Sequence, residues 1–297
     1  MKRHHVYLVV LFMSVVCQSA VAQKPVENAV FWEVSGNGLT KPSYLFGTFH
    51  LKGAHYVDSL TQVMDKFKSS SALVGELLID STLTMKMMSA SIMKDTTLDK
   101  LLGADDYQKT AVWLKEVSGY DLKLFNTMNP MTIQIVLMSM VQQKYFPMNG
   151  PQDAPMDIYF QQEAKKSNKK LVGLETFDDQ LKALFGQFTL KRQAEMLMEF
   201  VNEKDKAKDE IIAMNRHYRE GNLMKLEELM AKQTYTEKEA TVMLYDRNAK
   251  WMEQLPQLMK TQQTFVAVGA LHLAGKMGLV SLLRKAGYTV KPLKTLL

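Results

Sequence analysis

The chain is nearly without cysteine. Its one thiol, Cys17, sits in a leader-like stretch at the N-terminus, so no disulfide framework can hold the fold. Long apolar runs are missing too: Val6 to Val16 falls short of the roughly 20 residues that a membrane span needs. Charge of one sign is scarce, with 37 Lys and Arg against 31 Asp and Glu. The small basic excess is spread through mixed runs such as Asn202 to Glu210. That pattern is a solvated helix face and excludes a basic nucleic-acid stripe. Histidine is sparse as well, and beyond the leader it occurs at His50, His55, His217 and His272.

The N-terminus opens with basic Lys2 and Arg3, continues through the apolar run and reaches Ala20-Val21-Ala22. This is the pattern of a secretory signal. Residues 1–22 are expected to be removed, leaving 23–297 as an exported chain, periplasmic or extracellular, with no transmembrane segment. Lipidation at Cys17 is the less favoured alternative, because Val15 and Val16 stand where such a site prefers small residues.

Phe31 to Gly36 and Ser43 to His50 read as two strands around a Gly-Asn-Gly turn. Ser71 to Ile79 reads as a buried strand with Glu76 inside it, and Lys169 to Glu175 as another. Thr264 to His272 and Tyr288 to Leu293 supply the last strands. From about 80 to 165 the periodicity is helical. Three or four helices are expected between Asp178 and Lys260, including a long one over Glu237 to Leu255. The expected fold is therefore α/β: a mixed sheet from the N- and C-terminal segments, with a largely helical central insertion in one domain spanning 23–297. The 22 methionines fit adaptable core packing.

Two strands end alike, in Gly47-Thr48-Phe49-His50 and Gly269-Ala270-Leu271-His272. Glycine lets the backbone turn and lets a ligand come close. The histidine that follows is aimed beyond the carboxyl end of its strand, where α/β sheets hold their ligands. Neutral imidazole binds Zn, Mn or Co, commonly beside a carboxylate, and Glu76 is the candidate for that third place. An acid inside so apolar a strand is costly unless it is paired or metal-bound. Glu175 ends its strand in a similar context. His55 and His217 read as surface residues. Asp246-Arg247-Asn248 lies on the long helix, where a simple charge pattern explains it as well as function does.

The paired motifs, the stretch Met156 to Phe160, Leu171 to Gln180, Leu244 to Asn248 and Phe265 to Leu293 together resemble the TraB/PrgY/GumN family, which includes the Tiki metalloproteases. The resemblance implies an α/β core with a helical insertion and divalent-metal hydrolase chemistry. It makes His50, Glu76 and His272 the central residues. It also marks Asp157, Glu175, Gln180, Arg247 and Asn248 as matching family positions. Leu271 departs from the pattern, since glycine often precedes the second histidine there, and a bulkier residue is expected to narrow the crevice. The leading expectation is a peptidase holding Mn, Co or Zn. Glu175 or Glu76 would take the water proton, and Arg247 would meet a substrate carboxylate or oxyanion. The alternatives are a module that captures a peptide or small molecule without turnover, and an esterase-like hydrolase.

Overall fold

A computed structural model of the chain describes residues 28–80, 82–150, 153–231 and 236–295. The expected leader, 1–22, lies outside them. Six strands form one mixed sheet: β1 (Phe31–Ser35), β2 (Ser43–Thr48), β3 (Ala72–Gly75), β4 (Lys170–Gly173), β5 (Thr264–Gly269) and β6 (Thr289–Pro292), in the order β4-β3-β5-β2-β1-β6. The first two make an antiparallel hairpin. Its turn runs through Gly36, Asn37 and Gly38, all at positive φ, which glycine and asparagine tolerate best. β6 closes the far edge antiparallel to β1. As the sequence implied, the sheet draws strands from both ends of the chain and the middle is mostly helical.

β4, β3, β5 and β2 are mutually parallel, with Gly75 opposite both Gly173 and Ala267, and Thr48 opposite Gly269. Their carboxyl ends consequently share one edge of the sheet. Central parallel strands are covered on both faces, which is why β2 is buried along its whole length and β5 until its final glycine. Phe46, Phe67, Phe160 and Phe265 stack through that core at ring separations of 5.2 to 6.2 Å. A second apolar cluster joins Trp113, Leu114, Ile133 and Leu137 to Leu197, Val201 and Ile211. The helices between β3 and β4 thus pack directly against those that follow β4.

Three local expectations are corrected. In place of the three or four helices expected between Asp178 and Lys260, the chain forms more and shorter ones, from Phe177–Leu184 to Leu255–Thr261. The strand expected over Ser71 to Ile79 stops at Gly75, so Glu76 stands at its end rather than inside it. The buried Gln161 side chain pulls the chain off the ladder: its Nε2 donates to Leu77 O at 2.8 Å and its Oε1 accepts from Ile79 N at 2.9 Å. The long helix expected over Glu237 to Leu255 is also divided. Helix Glu237–Ala240 runs into a π turn, Thr241–Tyr245, then helix Asp246–Trp251. A further helix, Leu255–Thr261, has Pro256 in its first turn, where proline is tolerated.

Candidate functional site

The parallel edge gathers the side chains that matter. His50 lies two residues past β2, Glu76 one past β3, and Glu175 two past β4. His272 sits in a 3-10 turn, Ala270–Leu273, directly after β5. Asp157 reaches the edge from the first turn of helix Met156–Lys166. Arg247 and Asn248 arrive from helix Asp246–Trp251.

The two motif glycines serve different purposes. Gly47 is inside β2, where a Cβ would fall 2.8 Å from the Ala270 backbone, so its bareness seats the turn that carries His272. Gly269 ends β5 and faces the site. A Cβ there would stand 3.2 Å from Glu76 Oε1, 3.6 Å from His272 Cδ2 and 3.7 Å from His50 Nε2. Three candidate donor groups therefore surround one small space that only glycine leaves open.

Each histidine is oriented through its far nitrogen. Asn248, fully buried, donates from Nδ2 to His272 O at 3.1 Å and Met277 O at 2.9 Å. Its Oδ1 must then accept, and His272 Nδ1 lies 2.7 Å away. His272 accordingly carries its proton on Nδ1 and leaves Nε2 as an acceptor, with Arg247 Nη1 3.0 Å and Glu76 Oε1 3.7 Å away. His50 Nδ1 meets Asp157 Oδ2 at 2.6 Å, and Thr48 Oγ1 donates to the other Asp157 oxygen at 2.7 Å. A histidine fixed by a carboxylate or amide on one nitrogen, with the other free, is the usual preparation for metal or proton chemistry.

Arg247 ties the remaining groups together. Its Nε and Nη2 grip both oxygens of Glu175 at 2.9 and 2.6 Å. Nη2 also donates to Glu76 Oε2 at 2.6 Å. Nη1 donates to His272 Nε2 at 3.0 Å and to Met243 O, in the π turn, at 3.0 Å. All the N–H donors of a guanidinium are used within the protein. Trp251, one helical turn on from Arg247, lies beneath both it and His272, at 4.9 and 4.3 Å.

The charges follow from this packing. Burial opposes ionisation of Glu76, yet His272, Arg247, His50 and the Gly269 amide together hold its carboxyl down at about 2. Burial pushes Glu175 up, only partly offset by Arg247. His272 is lowered to about 4, chiefly by burial, and is neutral. The Asp157 carboxylate raises His50 to about 9, though the ring's exposed face lets solvent screen that pair. Besides the Asp157 carboxyl, the edge therefore holds one firmly ionised carboxylate, one raised carboxylate, one neutral imidazole and one basic imidazole.

His50, Glu76, Asp157, Glu175, Arg247, Asn248 and His272 are thus brought together, and Gln180 joins through a 3.3 Å bond from its Nε2 to Glu175 Oε1. His55 is exposed and His217 pairs with Glu220 at 3.1 Å on a helix. Leu271 lines a cavity with Leu244 and Tyr245, apart from the one bordered by His50 and Glu76. Sequence reasoning passed over Thr48, Trp251 and the central place of Gly269. The spacing of Trp251 four residues after Arg247 was the available signal, since such pairs share a helix face.

Among the described residues, no group of three or more His, Cys, Asp or Glu is arranged to hold a metal ion. Arg247 occupies the His272 lone pair and one Glu76 oxygen instead. The profile of the TraB/PrgY/gumN family matches residues 30–292. The chain belongs to the TraB/PrgY/gumN family. It is also 24% identical, over 93% of its length, to Metalloprotease TIKI2 of Danio rerio, and the match spans 62% of that longer protein. The TraB/PrgY/gumN match runs from the residue before β1 to the end of β6, so it takes in every strand of the sheet and every residue of the polar edge. No helix among the described residues is long and apolar enough to cross a membrane.

Proposed function

We propose that this TraB/PrgY/gumN chain is an exported, divalent-metal-dependent hydrolase acting on peptides. The observation that carries the reading is the space above Gly269, ringed within 4 Å by His50 Nε2, Glu76 Oε1 and the His272 ring. The donor types suit a metal once Arg247 leaves His272 Nε2 and His50 gives up its Nε2 proton: two imidazoles oriented through their far nitrogens and one carboxylate held ionised. His50, Glu76 and His272 would hold Mn, Co or Zn, with the identity of the ion open to titration. Bound there, such an ion supplies Lewis acidity to a carbonyl and to water. The TIKI2 relative, a metalloprotease by name, supports the peptide assignment.

The chain's own residues supply the rest. Arg247 must release the His272 lone pair for Nε2 to act as a ligand, and the same movement frees a carboxylate oxygen. Glu175, raised by burial, then accepts a proton from water as the water oxygen bonds to the carbonyl carbon. That proton passes to the leaving amine as the C–N bond breaks. Asp157 and Asn248 keep both imidazoles in place. Arg247 is assigned the holding of charge, because its donors are already committed inside the protein.

The test uses metal-stripped protein, a mixed peptide library and added Mn²⁺, Co²⁺ or Zn²⁺, with products read by mass spectrometry. Metal-dependent cleavage that disappears in the His50→Ala/His272→Ala double variant is the expected outcome. Full metal binding and cleavage by that variant would sink the proposal. The saturation of Arg247 favours a second reading, peptide capture without turnover, and the same experiment reports it as binding with no new fragments.

A further inference from the structure

A cavity of about 350 Å³ opens beside the polar edge, with His50, Glu76 and Asp157 at its border. Ile79, Leu83, Ile158 and Leu184 form its walls, and Phe160 and Ala267 are among the residues beneath. The four wall residues are only half-buried, although each is apolar. The neighbouring Gln161 spends its amide on the Leu77 and Ile79 backbone, and Gln180 spends its Nε2 on Glu175. Among the described residues that line the cavity there is no lysine or arginine. Polar capacity is thus concentrated at one border, where the candidate chemistry is, and the remainder is apolar. The volume lies near the lower end of the range for small-molecule sites. It accommodates one large side chain with its flanking backbone, and a charged group placed among the apolar walls, away from the border carboxylates, would be desolvated without a partner.

We infer that this cavity receives a bulky apolar side chain of the substrate, leucine, methionine or phenylalanine, beside the bond on which the polar edge acts. The inference rests on the peptide reading above and adds a specificity to it. Leu184 and Ile158 are specificity-determining residues, because they face the incoming side chain and take no part in the hydrogen-bonded cluster.

The experiment uses the full chain with Mn²⁺ and peptides that vary at one position through Leu, Met, Phe, Ala, Ser, Asp and Lys. In parallel, N-acetyl-L-phenylalaninamide is titrated into protein carrying labelled Ile and Leu methyl groups. The expected result is a preference of about 100-fold in kcat/KM for the large apolar residues over Ser and Asp, the scale on which apolar pockets discriminate. In Leu184→Trp, which fills the cavity, that preference should fall below about tenfold. Should this variant not fold, the wild-type profile and Ile158→Gln decide. Cleavage without apolar preference would overturn the pocket and leave the hydrolase reading standing. No cleavage, but saturable shifts of the Ile79, Ile158 and Leu184 methyls by the amide probe, would support the pocket and remove the hydrolase reading. Neither cleavage nor methyl shifts would overturn both.

Discussion

Replacing Gly269 by alanine adds one methyl group and removes no polar atom, yet it should silence the site. The backbone there has φ −50° and ψ 136°, which alanine adopts freely, so no conformational strain arises. A stiffer unfolded chain contributes about 0.4–1 kcal/mol of stability. Against that, the new Cβ lies 3.2 Å from Glu76 Oε1 and must push the carboxylate by a few tenths of an ångström. This stretches the 2.7 Å bond from Gly269 N–H to Oε1. Losing a hydrogen bond to a charged group costs about 1.5–3 kcal/mol in full, and stretching it costs part of that. The net change is on the order of 1 kcal/mol, or about 2–4 °C in Tm for a domain of this size. Binding should respond on a different scale, because the methyl stands in the space that the two imidazoles and the carboxylate share. Mn²⁺ titration calorimetry on metal-stripped protein should show affinity reduced about 100-fold or more, beyond the loss expected when only a ligand's supporting hydrogen bond is removed. An alanine variant that binds Mn²⁺ within about twofold of wild type would refute the placement of the site above Gly269.

Gly47→Ala should show the opposite pattern: its Cβ would meet backbone at 2.8 Å, so thermal unfolding should report a loss of about 1–3 kcal/mol from overpacking. Asn248→Ala leaves His272 Nδ1 and two buried carbonyls without their partner. It should cost about 2–4 kcal/mol in denaturant unfolding and free the His272 tautomer, visible in its ring nitrogen NMR shifts. Arg247→Met removes the countercharge of two buried carboxylates and should destabilise by about 3–5 kcal/mol at neutral pH, with partial recovery under acid as those carboxyls protonate. Away from the site, Arg192 holds the Glu239 carboxyl down at about 2. A depressed carboxyl stabilises the fold above its unfolded pKa of about 4.5 and loses that contribution as pH falls toward 2. Acid unfolding curves of wild type and Arg192→Ala should therefore converge across that window.

Much of the fold was legible because the sheet's central strands are apolar on both faces and carry glycine at or next to their carboxyl ends. Phe46, Phe265 and Val266 announce burial by composition alone. The polar edge was legible for the same reason: His50 and His272 follow such strands at matching intervals, and few other histidines compete. Other features depended on contacts between distant segments. Glu76 reads as an intrusion into a strand until Gln161, more than eighty residues later, is seen to end that strand. The π turn before Arg247 leaves the helical periodicity almost unchanged, so only the hydrogen bonding shows it. The motif histidines look equivalent in sequence, but Gly47 pairs with Val268 and Thr48 with Gly269. That one-residue offset gives the two glycines their separate tasks.

The electrostatics of the edge give Arg247 a meaning that spacing alone could not. Glu76, Glu175 and Asp157 bring three carboxyl groups to one sheet edge, and Arg247 with His50 are the cations facing them. Burying such groups without a countercharge would cost several kcal/mol each, so the guanidinium stabilises the edge. A lone pair can accept one partner at a time. The His272 Nε2 that accepts from Arg247 cannot also bind a cation. On the proposed reading, metal binding and the Arg247 clamp therefore compete for the same atom, and by linkage each weakens the other by the same factor. Weakening the clamp without emptying the charge, as Arg247→Lys does by removing the fork while keeping the cation, should tighten Mn²⁺ binding and lower the Tm of the metal-free protein. A lysine variant with weaker metal binding and an unchanged Tm would show that Arg247 and the ion do not meet at His272.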